Sequence, residues 1–113
     1  MDVIIWHNPR CSKSRQTLAL LEAKGYDVEE RRYLEDMPTK NEIRDILDKL
    51  KLKPSQFIRR KEALFKELGL NNKDEDALLV AMVEHPKLIE RPIVLNGDQA
   101  AIGRPPEAIL EIL

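Results

Sequence analysis

Val3-Ile4-Ile5-Trp6-His7-Asn8-Pro9-Arg10-Cys11-Ser12-Lys13-Ser14-Arg15 is the stretch that decides how this chain folds. Asp2 to Trp6 reads as a buried strand, a short apolar run rich in β-branched residues. From about Ser12 to Lys24, Leu18, Leu20 and Leu21 recur at helical spacing, and Gly25 stands where a left-handed stop belongs. The only cysteine therefore falls at a strand-to-helix junction. A thiol placed there faces the unpaired N–H groups and the positive end of the helix dipole, which favour an anion. Such a setting lowers a cysteine pKa, and the thiolate is the attacking form. Lys13, Arg15 and His7 would add positive charge. The bland alternative, a buried structural cysteine, calls for apolar neighbours, and these are polar and basic.

Outward from this stretch, Tyr26 to Tyr33 gives a second, more polar strand, so strand, helix and strand form a parallel βαβ unit. Pro38 breaks the chain. Thr39-x-x-Glu42 is a capping box, followed by the strongest helical stripe in the protein: Ile43, Ile46, Leu47 and Leu50. Pro54-Ser55 starts a short helix expected to carry Arg59, Arg60 and Lys61, and Ala63 to Leu68 forms another before Gly69. Asn72-x-x-Glu75 can cap a further helix with Leu78, Leu79, Met82 and Val83 on its apolar face. Ile93-Val94-Leu95, Asn96-Gly97 and Ala100-Ala101-Ile102 make a hairpin, with Asn-Gly as the turn signal. Gly103-Arg104-Pro105-Pro106 leads into a last helix bearing Ile109, Leu110 and Leu113. The order βαβ, helices, ββα matches an α/β fold of the thioredoxin-like type. It predicts a four-stranded mixed sheet within a single domain, 1–113, and a helical insertion at about 38–87. In such sheets the site lies at the carboxyl ends of the parallel strands, where Cys11 falls.

Composition narrows the function. A chain of 113 residues is one domain's length, enough to bury roughly two-thirds of its unfolded surface. Charged residues make up 35% of it, yet the formal net charge is −1, which argues against a nucleic-acid partner held by bulk electrostatics. An anion site must come from local clustering of arginines. One cysteine excludes an internal disulfide framework, as suits a reducing cytoplasm. It also excludes a Cys-x-x-Cys pair, since Ser14 holds the second position. His7 and Cys11 lack a matching second pair of metal ligands, and His85, beside Pro86, reads as a surface or capping residue. No metal and no bound cofactor are expected. The first apolar run is too short for a membrane span and lacks a basic leader, so no membrane association is expected.

The run His7-Asn8-Pro9-x-Cys11-x-x-Ser14-Arg15 resembles the active-site loop of the glutaredoxin-coupled arsenate reductases, the ArsC family. Phe57-Ile58-Arg59, Leu88-Ile89-Glu90-Arg91-Pro92-Ile93-Val94 and Ile102-Gly103-Arg104-Pro105-Pro106-Glu107 match in the same order, so the resemblance covers the whole chain. It implies that Cys11 is the nucleophile forming a thiol–arsenate adduct, supported by His7, Arg59, Arg91 and Arg104. Arg60 is the rival for the first arginine, and counting back from Glu67 to Leu70 favours Arg59. It also implies that Pro92 is the cis-proline that thioredoxin-like folds set against the active-site cysteine. Glutathione would then be a co-substrate and glutaredoxin a partner.

Elementary chemistry agrees. Arsenate repels a thiolate, and several guanidiniums are needed to hold both anions; arginine's planar fork suits an oxyanion better than lysine. Ser14, one turn beyond Cys11, is placed to donate a hydrogen bond to the sulfur. His7 is expected to add positive field or orientation rather than base catalysis. Any one of these arginines could be an ordinary solvated charge, Arg59 in its basic run more readily than Arg91 or Arg104, which stand among apolar and proline residues. Arg15 could equally cover the first helix or pair with an acid. A phosphatase loop needs a longer Cys-to-Arg spacing than the three residues between Cys11 and Arg15. Two other functions remain open. One is a glutathione-dependent thiol reductase of unknown substrate. The other is a non-enzymatic regulator of the Spx type, which binds RNA polymerase and typically carries the Cys-x-x-Cys switch that Ser14 removes here.

Overall fold

Strand β1 (Val3–Trp6) lies inside the sheet in the computed structural model of the protein, which describes residues 3–113. Asp2, which the sequence sets at the head of this strand, lies outside the described residues. Strand β2 (Val28–Arg31) runs parallel to β1 on one side, and β3 (Ile93–Asn96) runs antiparallel on the other. Strand β4 (Gln99–Ile102) pairs antiparallel with β3, giving a four-stranded mixed sheet in the order β2-β1-β3-β4. Val3 stands opposite Val28 and Asn96, and Trp6 opposite Arg31 and Ile93.

The alternation of side chains along a strand sends Val3, Ile5 and Val94 to one face of the sheet. There they join Leu21 of helix α1 (Ser12–Ala23) and Ile109 and Ile112 in one buried cluster. Polar residues share the buried face of α1: Ser14 and Thr17 have no exposed surface, and with Leu21 they follow helical spacing. The helix stops as its glycine requires. Gly25 takes φ 84°, its N–H donates to the Glu22 carbonyl, and the Tyr26 N–H donates to the Leu21 carbonyl. This end motif claims Tyr26, so β2 starts at Val28 rather than at Tyr26. Tyr33, beyond the strand, is buried and stacks on Trp6 with 6.4 Å between ring centroids.

Close contacts divide the chain into two compact units, one formed by the chain up to Asp36 together with Arg91–Leu113, the other by Met37–Glu90. In the second unit, helix α2 (Lys40–Leu50) starts at a complete capping box. The Glu42 N–H donates to Thr39 Oγ1 at 3.2 Å and the Thr39 N–H donates to Glu42 Oε1 at 3.0 Å. Ile43, Ile46 and Leu47 are its buried stripe. Helix α3 (Pro54–Phe57) ends sooner than the sequence suggests. Ile58 turns extended and bridges antiparallel to Ile89, and the Arg59 N–H donates to the Leu88 carbonyl. Burial of two β-branched side chains at this bridge overrides helix continuation, so Arg59, Arg60 and Lys61 lie in a turn. Helix α4 (Ala63–Glu67) precedes a one-turn 3-10 segment, Leu70–Asn72, which removes Asn72 from the capping role expected of it. Asp74 caps helix α5 (Glu75–Glu84) instead, accepting the Ala77 N–H at 2.8 Å.

Back in the first unit, the β3–β4 hairpin turns on Gly97-Asp98, because Asn96 still pairs with Gln99. Gly97 takes φ 61°, the place that a glycine-first hairpin turn assigns to glycine. The last helix is 3-10 throughout, Pro106–Ile112, with Pro106 at its first position. Its three-residue turn puts Ile109 and Ile112 inward and leaves Leu110 exposed.

Gly103, directly after β4, packs against α1 and Pro92. A Cβ there would lie 2.5 Å from Thr17 Oγ1 and 2.7 Å from Pro92 Cγ, while its N–H donates to the Pro92 carbonyl at 2.9 Å. Gly103→Ala is therefore expected to destabilise the fold by about 1–3 kcal/mol, as overpacking of a tight contact does. The midpoint of a urea transition followed by circular dichroism measures it; an unchanged midpoint would mean that Thr17 moves aside without cost.

Candidate active site

Cys11 is the N-cap residue of α1, with φ −92° and ψ 122°. Its own N–H donates to the Asn8 carbonyl at 3.0 Å, and its carbonyl accepts the Arg15 N–H at 3.0 Å. The loop is tied twice more: the Arg10 N–H donates to Asn8 Oδ1, and Arg15 Nη1 donates to the Pro9 carbonyl at 2.8 Å. Arg15 thus secures the loop rather than pairing with an acid.

The thiol is 8% exposed. Burial pushes its pKa up, but the main-chain N–H of Ser14, the Arg91 guanidinium and the Lys13 N–H all stabilise the sulfur anion and outweigh it, so the pKa lies below the ordinary cysteine value. Arg104 Nη2 approaches the sulfur at 3.8 Å. Arg104 Nε donates to the Arg91 carbonyl at 2.7 Å, which joins the two arginine segments. The Arg91–Pro92 and Arg104–Pro105 peptide bonds are both cis.

Ser14 reaches the sulfur through its main chain and not through its hydroxyl. The hydroxyl accepts the Asn8 N–H at 3.1 Å and bonds His7 Nδ1 at 2.7 Å. His7 is buried, with Nε2 facing Glu30 Oε1 at 4.0 Å. That carboxylate favours the proton on Nε2, leaving Nδ1 to accept from the serine. Burial lowers the His7 pKa; Glu30 opposes this, and Arg32 and Arg15 reinforce it. His7 is therefore neutral near pH 7 and orients Ser14 and Asn8; the positive field expected of it comes from the arginines.

Arg59 belongs to the second unit and is held there by acids. Its Nη1 contacts Glu62 Oε2 at 2.9 Å and its Nε lies 3.9 Å from Glu90 Oε1. Lys87 Nζ contacts the same Glu62 at 3.3 Å. Arg60 Nη2 donates to the Ser55 carbonyl and its guanidinium lies 5.4 Å over the Phe65 ring. The structure thus brings Cys11, Ser14, His7, Arg91 and Arg104 together in one unit and gives Arg59 and Arg60 different partners in the other. Among the described residues no cluster of His, Cys, Asp or Glu could hold a metal ion, and no helix is long and apolar enough to cross a membrane. Glu30 and Gly103, both missed in the sequence, support the site from outside its motifs. A side chain at position 103 would meet the side chains of Thr17 and Pro92, which no local pattern announces, and no local pattern pairs Glu30 with His7.

Residues 6–112 match the ArsC family. The chain belongs to the ArsC family. It is 53% identical to the arsenate reductase of Haemophilus influenzae, with all of both chains covered, and 50% identical to that of Neisseria meningitidis serogroup A, covering 99% of this chain and 98% of the relative. A solved arsenate reductase from Vibrio cholerae superposes with a TM-score of 0.96 at 52% identity, covering 100% of this chain and 98% of that one. The sheet described above is the thioredoxin-like α/β architecture of these ArsC structures.

In this ArsC chain the sulfur meets two main-chain N–H groups and two guanidiniums, all donors fixed before any ligand arrives. The rate of Cys11 alkylation against pH is expected to show a midpoint below the ~8.5 of free cysteine. Arg91→Ala removes both a hydrogen bond and a charge, so its midpoint should move upward. A wild-type midpoint at or above the free value would remove the activated nucleophile.

Proposed function

We propose that this ArsC protein reduces arsenate to arsenite, with the Cys11 thiolate attacking arsenic and glutathione and glutaredoxin completing the reduction. One observation carries the reading: the guanidiniums of Arg91 and Arg104 converge on a sulfur already held at a helix N-terminus. A thiolate beside a tetrahedral oxyanion is a pair of like charges, and preorganised donors offset that repulsion and stabilise the charge that develops during attack. The names of the relatives at about half identity over the full chain support the same substrate.

The reaction balances as follows. The sulfur displaces one arsenate oxygen, which leaves as water after protonation. Two external thiols then supply two electrons and their protons and depart as one disulfide, while arsenic leaves as arsenite and Cys11 returns to its thiolate. The chain carries one cysteine, so no internal thiol can resolve the adduct, and a small thiol with glutaredoxin fills that role. Arg59, whose guanidinium pairs with Glu62 and Glu90, is proposed as the third oxyanion-binding arginine. A lone unpaired thiol suits a reducing compartment, which supports a cytoplasmic location as part of the same proposal.

Arsenate-dependent NADPH oxidation, coupled through glutathione, glutaredoxin and glutathione reductase, tests the reading. Cys11→Ser should abolish turnover, and the wild type should stall without a small thiol. Each charge-assisted hydrogen bond is worth about 1.5–3 kcal/mol, so Arg91→Ala or Arg104→Ala should lower arsenate turnover roughly tenfold to a hundredfold. Reduction of a small neutral disulfide by the same variants should fall only by the thiolate lost as the Cys11 pKa rises, and by less than arsenate turnover. Equal losses on both substrates would favour a general thiol reductase in which the arginines serve the thiol alone.

A further inference from the structure

The loop that ends at Cys11 also walls a cavity to which the nucleophile contributes nothing. It has a volume of about 420 Å³ and opens between the His7–Arg10 loop and Arg32, Leu34 and Glu35. Neither Cys11, Arg91 nor Arg104 lines it. A space of this size exceeds what a tetrahedral oxyanion needs and falls in the range that takes a small organic ligand.

Its charges are disposed to receive anions. Arg10 joins the hydrogen bonding of its loop through its main-chain N–H, and Arg32 that of its own turn through its carbonyl, which accepts the N–H groups of Glu35 and Asp36. Among the described residues neither guanidinium has a hydrogen-bond or ion-pair partner of its own. The adjacent Arg31 differs, being paired with Asp36 at 3.4 Å and stacked 5.4 Å over Trp6. Two exposed guanidiniums, one carboxylate and a half-exposed leucine therefore ring one concavity. The cavity also borders the chemistry, since the carbonyl of its wall residue Asn8 accepts the Cys11 N–H. An extended tripeptide spans roughly 10 Å, which suits a ligand anchored in the cavity with one end at the cysteine loop.

We propose that this cavity binds the small peptide thiol that reduces the enzyme: Arg10 and Arg32 receive its two carboxylates, Glu35 its ammonium, and Leu34 the apolar flank of its backbone. The identity of that thiol as glutathione rests on the function proposed above. The charges match, because a peptide with two carboxylates and one ammonium meets two guanidiniums and one carboxylate. The reductant and the arsenate would then occupy separate arginine sets on one protein.

S-methylglutathione, which cannot reduce anything, serves as the probe and is titrated into the full chain without arsenate. Amide resonances of Asn8, Arg10, Arg32 and Glu35 should shift. The double variant Arg10→Ala/Arg32→Ala should bind at least tenfold more weakly, with its Cys11 alkylation midpoint unmoved. In turnover, the same variant should raise the KM for glutathione about tenfold while leaving the KM for arsenate unchanged. Turnover supported by 2-mercaptoethanol, which has no carboxylate, should be unaffected. Binding that ignores the double substitution, or shifts centred on Arg91 and Arg104, would overturn the site. Binding at the cavity in a protein that never turns over arsenate would instead overturn the assigned reaction and leave the site standing.

Discussion

Everything at the catalytic end of this molecule depends on keeping a sulfur anion stable while it is largely withdrawn from water. Burial alone would keep Cys11 protonated, because a charged form loses hydration as it is enclosed. The chain offsets that cost with donors from three separate segments: the main-chain N–H groups of Lys13 and Ser14, the Arg91 guanidinium and the Arg104 guanidinium. None of these needs to move when the thiolate forms. The hydrogen bond from Arg104 Nε to the Arg91 carbonyl makes the two arginine segments a single piece, so a displacement of one carries the other.

The sheet supplies the fixed frame. Strand β1 delivers the loop to Cys11, and its neighbour β3 begins just after Arg91 and Pro92. Strand β4, paired to β3, ends just before Gly103 and Arg104. Three sequence-distant segments therefore reach the sulfur because three adjacent strands start or finish at the same edge of the sheet. The absence of a side chain at Gly103 lets the third segment lie against Thr17 of α1 and against Pro92.

The succession of strands along the chain was legible from the sequence because each carries a local signal: a β-branched run, a helix stopped by glycine, a hairpin dipeptide. The misreadings arise where one local signal meets a competitor, either a remote partner or a neighbouring turn. Helix α3 yields at Ile58 because Ile89, thirty-one positions away, offers a buried bridge. Asn72 loses the cap to Asp74 because the preceding residues wind into a 3-10 turn. The hairpin signal was right, and pairing of Asn96 with Gln99 sets the turn on Gly97-Asp98. In the site, residue types could be read but not hydrogen-bond directions. Ser14 was placed beside the sulfur by spacing, yet the buried imidazole of His7 takes its hydroxyl and leaves the main chain to face the thiolate.

Neutral His7 fits this economy of charge. A cationic imidazole beside the thiolate would add stabilisation, but it would also add a proton that the thiolate could capture. A neutral ring bonded to Ser14 holds the turn between strand and helix without that hazard. The positive charge at the sulfur is then carried by arginines alone, which stay protonated at any physiological pH. With a formal net charge of −1 over the whole chain, no broad field draws anions to this surface. In the reaction proposed above, discrimination arises within hydrogen-bonding distance of the sulfur, where a planar guanidinium can match the shape of an oxyanion as well as its charge.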